Sequence, residues 1–354
     1  MRALAFGTYD RAYPRNAQVF SALRRAGVDV VECNRAVWGR HNWSPGARDV
    51  VRLARAELDL ARRTPQDADV VLVGYPGHAD MLSASRVARG RPIVFNPLVS
   101  LTDTMVVDRE RFASRGLAAR AIGMVDRYAF RRADLVVADT AAHASFFAET
   151  FGLAPERVGV AFVGAEDRLF TPSPRNVTTF NALFVGKLIP LHGLDTIVAA
   201  AELAREVPFT IVGDGQLSAL LGQAPENVTL IPWVEYEALP ELYRTCGCAL
   251  GVFGTSPKAA RVIPNKAFQA LACAAPLVTA DTPAARELLT DGADALLVPP
   301  GDPAALARAI RRLASDRPLA ERIGAAGRQT YEVRASEGVL GQTWKALLER
   351  AVAS

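Results

Sequence analysis

Short apolar runs alternate with longer amphipathic stretches along almost the whole chain. In the first half, six runs of four to six mostly apolar residues predict buried strands, and the stretches between them have the 3.6-residue spacing of helices. The predicted strands are Ala3–Phe6, Val28–Val31, Val70–Val73, Pro92–Phe95, Leu135–Ala138 and Val158–Val163. Strands that alternate with helices in this way predict a parallel α/β sheet.

The second half repeats this rhythm without repeating the sequence. Its predicted strands are Ala182–Val185, Phe209–Val212, Val228–Ile231, Cys248–Phe253, Pro276–Ala280 and Ala295–Val298, and the remainder is helical with a break near Ser336. The stretch Leu169–Val177 has two prolines and no periodicity, which is typical of a linker. We therefore predict two doubly wound domains, residues 1–172 and 173–332, and a terminal helical segment, residues 333–354.

The stretch from Phe253 to Ala280 has the order strand, polar loop, helix, strand. In open parallel sheets, ligands bind beyond the carboxyl ends of the strands, where helix amino-ends direct N–H groups at anions. This loop holds Lys258 and Lys266, two of only four lysines in an arginine-rich chain. Lys187 occupies the corresponding loop after the first strand of the second domain. This placement predicts a site for an anionic ligand.

Composition narrows the classes of function. A net charge of +4 over 354 residues suits small anionic ligands or the surface of an anionic membrane, and no nucleic-acid motif accompanies it. The four cysteines have no metal-ligand spacing, so reduced thiols are expected. No signal peptide and no run of about 20 apolar residues is seen. We therefore expect a cytoplasmic protein, at most associated with the inner face of a membrane.

Two features leave alternatives open. The loop Val37–Arg48 contains two tryptophans and is either a binding lid or a packed connection. The charged segment Val106–Gly116 shows no periodicity and is expected to be irregular and mobile. The G-x-G-x-x-G fingerprint is missing from both halves, which disfavours a nicotinamide oxidoreductase.

Five spaced segments of the second half resemble the retaining glycosyltransferases of family 4. They are NALFVGKLIPLHGLDTIVAAA, FTIVGDG, VTLIPWVEYEALPELYRTC, the stretch from Phe253 to Ala280, and AARELLTDGADALLVPPGDPAALARAIRRL, and they cover nearly all of residues 181–313 in the family's order. In the first half the resemblance lies mainly in HASFFAETFGLAPERVGVAFVGAEDRLF. The resemblance implies the GT-B fold, with two Rossmann-like domains and a last helix that crosses back to the first domain.

The family places an arginine and a lysine in its first donor-domain loop, where both contact the donor diphosphate. The matching positions here are Lys187, after Gly186, and His192. Lys187 keeps the positive charge without the bidentate fork, and the charge of His192 depends on its protonation. The alternative is that Lys187 is a solvated surface charge and His192 a turn residue.

The family also carries two glutamates eight positions apart, one for the transferred sugar and one for the ribose. The matching positions here are Arg261 and Gln269. Gln269 can still bond ribose hydroxyls, whereas Arg261 cannot replace a carboxylate. Either the sugar differs, or an acidic sugar is bound, or the segment is shifted and Lys258 or Lys266 takes the contact. The tripeptide Pro264-Asn265-Lys266 resembles a subgroup with PNK at this place, and Asn265 and Lys266 are candidates for the β-phosphate or the sugar.

Further candidates come from the remaining loops. Trp233 and Val234 follow a strand where the family holds the base, and core packing of Trp233 is the alternative. The remaining candidates are the residues expected to line the opposite wall near the diphosphate or the acceptor: Gly7, Thr8, Tyr9, Asn96 and Asp103. The loop Asn96–Asp103 lacks the histidine that the family often has, so no general acid or base is assigned.

The resemblance implies a retaining glycosyltransferase that uses a nucleoside diphosphate sugar and no further cofactor. The donor loops show no acidic cluster like a metal site, so we expect independence from metal. Lys187, His192 and Lys266 are expected to stabilise the leaving diphosphate. The acceptor is a glycan, a lipid-linked intermediate or a small metabolite. The alternative from another class is a catalytically silent nucleotide-sugar-binding protein, because both family glutamates are missing. An epimerase on the same fold is disfavoured.

Overall fold

The computed structural model describes residues 1–37, 47–63, 67–173 and 177–354. The chain divides into two compact units, residues 1–162 with 337–354 and residues 163–336. The predicted tryptophan loop falls largely on residues 38–46, outside the described residues. None of the helices in the described ranges is both long and apolar enough to span a membrane.

The first unit is built around a six-stranded parallel sheet in the order β2-β1-β3-β4-β5-β6. The strands are β1 (Arg2–Gly7), β2 (Asp29–Asn34), β3 (Val70–Val73), β4 (Ile93–Phe95), β5 (Leu135–Ala138) and β6 (Val158–Val160). The helices are α1 (Pro14–Arg25), α2 (Ala47–Arg63), α3 (Met81–Ala88), α4 (Leu117–Arg132), α5 (Ala141–Phe151) and α12 (Glu337–Ala353).

Side chains that alternate along β1 divide between the two faces of this sheet. Ala3 and Ala5 pack into a cluster with α1 and α12, whereas Leu4 and Phe6 pack into a second cluster with α3, α4 and α5. The strands are apolar on both faces because helices cover both. Helix α12 therefore completes the core of the first unit, although it is last in the sequence. The close approach of α12 to α1 requires Gly341, since a Cβ there would lie 2.3 Å from the carbonyl oxygen of Ala22.

The second unit has a six-stranded parallel sheet in the order β12-β11-β10-β7-β8-β9. The strands are β7 (Ala182–Val185), β8 (Phe209–Val212), β9 (Val228–Ile231), β10 (Cys248–Leu250), β11 (Leu277–Ala280) and β12 (Leu296–Val298). The helices are α6 (Leu194–Leu203), α7 (Leu239–Thr245), α8 (Asn265–Ala272), α9 (Pro283–Arg286), α10 (Pro303–Ser315) and α11 (Arg317–Arg334). The strand order reverses between β7 and β10, and ligands bind at such switch points.

The structure places the boundary between the units differently from the prediction. Residues 163–172, predicted to end the first domain, belong to the second unit. Arg244 donates from Nε to the carbonyl oxygen of Thr171 (2.9 Å), and the Tyr331 hydroxyl donates to Asp167 (2.6 Å). These contacts fasten the segment to α7 and α11. The second boundary lies after residue 336, not after residue 332, because α11 continues to Arg334.

Part of the segment predicted to be irregular is a π-helix, Asp103–Asp108. This element has no side-chain periodicity of its own that the sequence could reveal, since it lasts only six residues. All four cysteines are buried and reduced.

Candidate functional site

The loops that follow β7 and β10 meet the first turn of α8 at the switch point of the second sheet. Gly186 follows β7 with a φ of 149°, and a Cβ added there would lie 2.8 Å from Nζ of Lys266 and 3.4 Å from Cε1 of His192. Glycine is therefore required, both for its backbone angle and for the space above it. Gly186, His192 and Lys266 converge on one small region.

Lys266 is a buried lysine whose amine has no polar partner among the described residues. It lies in the first turn of α8, its side chain is 6 % exposed, and its Nζ sits 3.6 Å above the centre of the Phe184 ring. Nζ has no hydrogen-bond partner within the described part of the chain. Burial lowers the pKa of this amine well below its usual range. Ring electrons offset only part of the cost of burying a charge at this position.

His192 packs against the same ring. It ends the short 3-10 turn Pro190–His192, it is buried, and its ring meets that of Phe184 edge-on with centroids 5.5 Å apart. Its Nδ1 is in close contact with the carbonyl oxygen of Lys187. A carbonyl only accepts, so Nδ1 carries a proton. A hydrogen bond from Nε2 to an anion therefore requires the imidazolium form.

Two more glycines bring the loops after β7 and β10 into backbone contact. The Phe253 N–H donates to the carbonyl oxygen of His192 (3.0 Å). A Cβ on Gly193 would lie 2.6 Å from the Gly254 nitrogen, and one on Gly254 would lie 2.4 Å from the carbonyl oxygen of Leu191. This close packing fixes the position of His192 relative to the second loop, so the site is held by backbone contacts.

The other predicted cations of the second unit differ in their exposure. Lys187 is exposed, Lys258 is buried, and Arg261 is half-buried at the end of a 3-10 turn, Ala259–Arg261. Pro264 is the N-cap of α8 in an extended conformation, and Asn265 is the first residue of the helix and half-buried. The structure thus brings together His192 and Lys266 around Gly186.

Gln269, the predicted ribose contact, faces the core. It lies one turn after Lys266, it is buried, and its Oε1 accepts a hydrogen bond from the Tyr243 hydroxyl (3.2 Å). The family glutamate position therefore supports α7 in this chain. A ribose role for Gln269 requires this contact to rearrange.

Trp233 lies on the surface just after β9, so the alternative of core packing is wrong. Its side chain is 59 % exposed, and its Nε1 donates to Glu235 (3.3 Å). Val234 beside it is half-buried. An exposed indole ring beyond the carboxyl end of a strand is available to a planar base.

In the first unit, the residues predicted for the opposite wall are mostly committed to the fold. Thr8 is buried, and its N–H and hydroxyl both donate to Asp80 (2.8 and 2.7 Å). Tyr9 is buried and donates to Glu32 (3.1 Å). These side chains were predicted to line a surface; instead they fasten the loop after β1 to neighbouring elements. Gly7 itself has a φ of 138°, and a Cβ there would lie 2.2 Å from Asp80.

Asn96 and Asp103 follow β4 and are also buried. The side-chain oxygen of Asn96 accepts from Nε of Arg15 (3.1 Å). Asp103 begins the π-helix, where its N–H donates to the Ser100 hydroxyl (3.1 Å). Asn96 is therefore part of an internal network and not of an open surface.

Arg15 is a buried charged residue that was not predicted from the sequence. Arg15 is fully buried in the first turn of α1, over the ring of Trp344 at 5.4 Å. It also donates from Nη1 to the carbonyl oxygens of Ala161 (3.2 Å) and Phe162 (3.0 Å). A signal existed, because Arg15 precedes Val19 and Leu23 at spacings of four and so lies on the apolar stripe of α1.

A pair of neighbouring carboxyl groups, Glu57 and Asp80, was also not predicted from the sequence. Glu57 on α2 lies beside Asp80, and Glu57 is in close contact with the Ser83 hydroxyl. Burial, and then the charge of Asp80, raise the pKa of Glu57 to about 9. Glu57 is therefore protonated at neutral pH and can donate to Asp80.

Comparison with known proteins agrees with this architecture. Residues 179–316 match the profile of a family described as Glycosyl transferases group 1. The D-inositol 3-phosphate glycosyltransferase 1 of Catenulispora acidiphila is 29% identical over 212 residues, which are 52% of this chain and 50% of that protein. The chain spans about half the length of the curated relatives it matches.

Solved structures match over nearly the whole chain. HepE of Anabaena, in a complex with UDP-glucose, matches with a TM-score of 0.71 and 17% identity over 98% of each chain. Sucrose-phosphate synthase from Thermosynechococcus elongatus matches with a TM-score of 0.76 and 16% identity over 99% of each chain. Residues 179–316 thus carry the sequence pattern of the glycosyl transferases group 1, and the chain as a whole has the predicted GT-B fold.

Proposed function

We propose that the second unit binds the diphosphate of a nucleoside diphosphate sugar and that the chain is a retaining glycosyltransferase. The observation that carries the proposal is the amine of Lys266, buried over Phe184 with no hydrogen-bond partner among the residues that the structure describes. A diphosphate oxygen supplies the charge and the acceptors that this group lacks. The Gly186 backbone leaves room beside it, and the imidazolium form of His192 supplies a second donor.

The relatives favour a UDP-linked sugar as the first donor to test. The curated relatives are named glycosyltransferases, and HepE was crystallised with UDP-glucose. We further propose that the exposed ring of Trp233 contacts the base, and Lys187, Lys258, Arg261 and Asn265 are candidates for outer contacts to the diphosphate or the sugar. Pro264, Asn265 and Lys266 would then mark a subgroup in which a lysine replaces a glutamate-centred donor contact.

In the proposed reaction, a bond forms between an acceptor hydroxyl oxygen and the anomeric carbon, on the face that the diphosphate leaves. The bond between the anomeric carbon and the β-phosphate oxygen breaks, and the acceptor proton passes to a phosphate oxygen. Charge grows on the departing diphosphate, so Lys266 and His192 lower the barrier by stabilising it. The acceptor is a glycan, a lipid-linked intermediate or a small metabolite. We expect no requirement for a divalent metal.

Nucleotide release tests the proposal. The full chain is incubated with UDP-, GDP-, ADP- and dTDP-linked sugars and candidate acceptors, and free nucleoside diphosphate is measured. Lys266→Met is expected to lower turnover by about 10²-fold, as loss of one transition-state donor does, whereas Lys345→Met on α12 should have no effect. Turnover should persist with EDTA, and the product should keep the anomeric configuration of the donor.

A catalytically silent binder is the second candidate, favoured by the commitment of Gln269 to Tyr243 and by Arg261 in place of a glutamate. It predicts saturable binding of one nucleotide sugar without nucleotide release for any acceptor. Failure of Lys266→Met to change either binding or turnover would contradict both candidates.

A further inference from the structure

Helix α4 of the first unit exposes an apolar stripe on the side opposite its core. Leu117, Ala121, Met124 and Tyr128 follow one another at spacings of four, three and four residues, so they lie on one face. Leu117 is 82 % exposed, Met124 67 % and Tyr128 42 %. The inner face of the same helix is separate and buried, and it consists of Ala119, Asp126, Ala129 and Phe130. Large apolar side chains aligned in this way mark a contact surface.

Arginines flank this stripe. Arg120, Arg127 and Arg132 are exposed on either side of it, and Arg111 and Arg115 precede the helix. Met124 and Tyr128 line a shallow depression of about 390 Å³ together with Arg127, Arg131 and Arg132. The outer surface of the helix thus combines apolar side chains with guanidinium groups that can bind phosphate.

The helix carries no negative charge on this surface. Its only carboxylate, Asp126, is fully buried, and it accepts hydrogen bonds from the Ser100 hydroxyl (2.8 Å) and from the Leu101 and Thr102 N–H groups (3.0 and 2.8 Å). Helices with apolar side chains between basic ones lie in the interface of anionic membranes.

We infer that the exposed face of α4 docks on an anionic membrane surface. Leu117, Met124 and Tyr128 enter the interface, and the flanking arginines bind lipid phosphates. The charge pattern favours this occupant over a second copy of the chain, since two such faces would place arginines against arginines. The inference does not depend on the proposed function. Of the three acceptor classes, docking of this kind suits a lipid-linked one.

Cosedimentation with vesicles tests the inference. The full chain should bind vesicles of equal parts phosphatidylglycerol and phosphatidylcholine, bind phosphatidylcholine vesicles far more weakly, and lose binding as salt rises. The triple variant R120Q/R127Q/R132Q should bind about a hundredfold more weakly, since each arginine near an anionic surface contributes about fivefold. L117Q/M124Q should lose at least tenfold, because two apolar side chains no longer leave water.

The matched control is R308Q/V333Q, which changes an exposed arginine and an exposed valine on the second unit. It should bind like the parent. Thermal unfolding should be the same for all variants, because the altered side chains are exposed. Absence of parent binding, or equal binding by parent and both α4 variants, would overturn the inference. So would a dimer in sedimentation equilibrium that L117Q/M124Q dissociates while vesicles are not bound.

Discussion

Each unit buries a cation above an aromatic ring, Arg15 in the first and Lys266 in the second. Arg15 donates three hydrogen bonds, to Asn96 and to two main-chain carbonyls at the end of β6, and only its Nη2 has no partner among the described residues. Lys266 donates none within the described ranges. Burial lowers the pKa of both groups, to about 10 for Arg15.

This difference in hydrogen bonding suggests different roles, a structural one for Arg15 and a ligand-binding one for Lys266. The contacts of Arg15 join α1 to the ends of β4 and β6, so its charge serves the fold. Lys266 is buried like Arg15 but has no hydrogen-bond partner in the part of the chain that the structure describes. Its burial therefore has a free-energy cost that a bound anion can offset. Replacing each of the two residues by methionine tests this distinction.

The largest effect is expected for Arg15→Met. The substitution leaves the carbonyls of Ala161 and Phe162 and the amide of Asn96 without their donor, all of them inside the unit. We expect a loss of about 3 kcal/mol or more in the free energy of unfolding. Urea denaturation measures it, with Arg308→Met on the surface as control. Unchanged stability would contradict the structural role of Arg15.

Lys266→Met is expected to act in the opposite direction. Without ligand, the variant should be more stable than the parent by about 1–2 kcal/mol, because a desolvated amine becomes an apolar side chain of similar length. The folded pKa lies below the unfolded value of 10.5, so the parent should recover stability relative to the variant as pH rises toward 10.5. A variant less stable than the parent at neutral pH would show that Lys266 has a structural partner.

Glu57 is an acid whose pKa is shifted by burial, so it too should make the free energy of unfolding depend on pH. Its folded pKa of about 9 lies above the model-peptide value of 4.5, so the folded state binds the proton more tightly. Between these pH values the unfolding free energy should fall as pH rises, by at most about 1.4 kcal/mol per pH unit. Glu57→Gln keeps a donor for Asp80 and should lack this component of the slope. Identical pH profiles of parent and variant would show that the pair is not protonated.

Lys187→Ala is expected to have the smallest effect. Lys187 is exposed, so water screens its charge, and we expect about a tenfold loss of turnover, well below that of Lys266→Met. Steady-state nucleotide release measures both. If Lys187→Ala proved the more damaging variant, the exposed lysine would be the main diphosphate contact.

Much of the architecture follows from local sequence. The apolar runs predict where the strands lie, and Pro264 predicts the start of the helix at Asn265. These signals act within a few residues of the element they determine. The same local order predicted Lys266 at the end of a strand–loop–helix unit. That its amine lies over Phe184 with no hydrogen-bond partner among the described residues could not be predicted, because this depends on residues of other elements that are distant in sequence.

The unpredicted part depends on residues distant in sequence. Thr8 turns inward because Asp80, 72 positions later, accepts two of its hydrogen bonds. Residues 163–172 join the second unit through Arg244 and Tyr331, which lie far along the chain. Strand-end residues are equally compatible with a surface or a core role until those partners are placed.

Calorimetric titration of UDP tests the central claim most directly, with parent, Lys266→Met and Lys345→Met compared at pH 8 in two buffers of different ionisation enthalpy. If a diphosphate completes the site of Lys266, its negative charge raises the pKa of the amine, which burial lowers in the free protein. Parent and Lys345→Met should then take up a proton, whereas Lys266→Met should take up less and bind about a hundredfold more weakly. Equal affinity and equal proton uptake by parent and Lys266→Met, in a protein that binds UDP, would contradict the account.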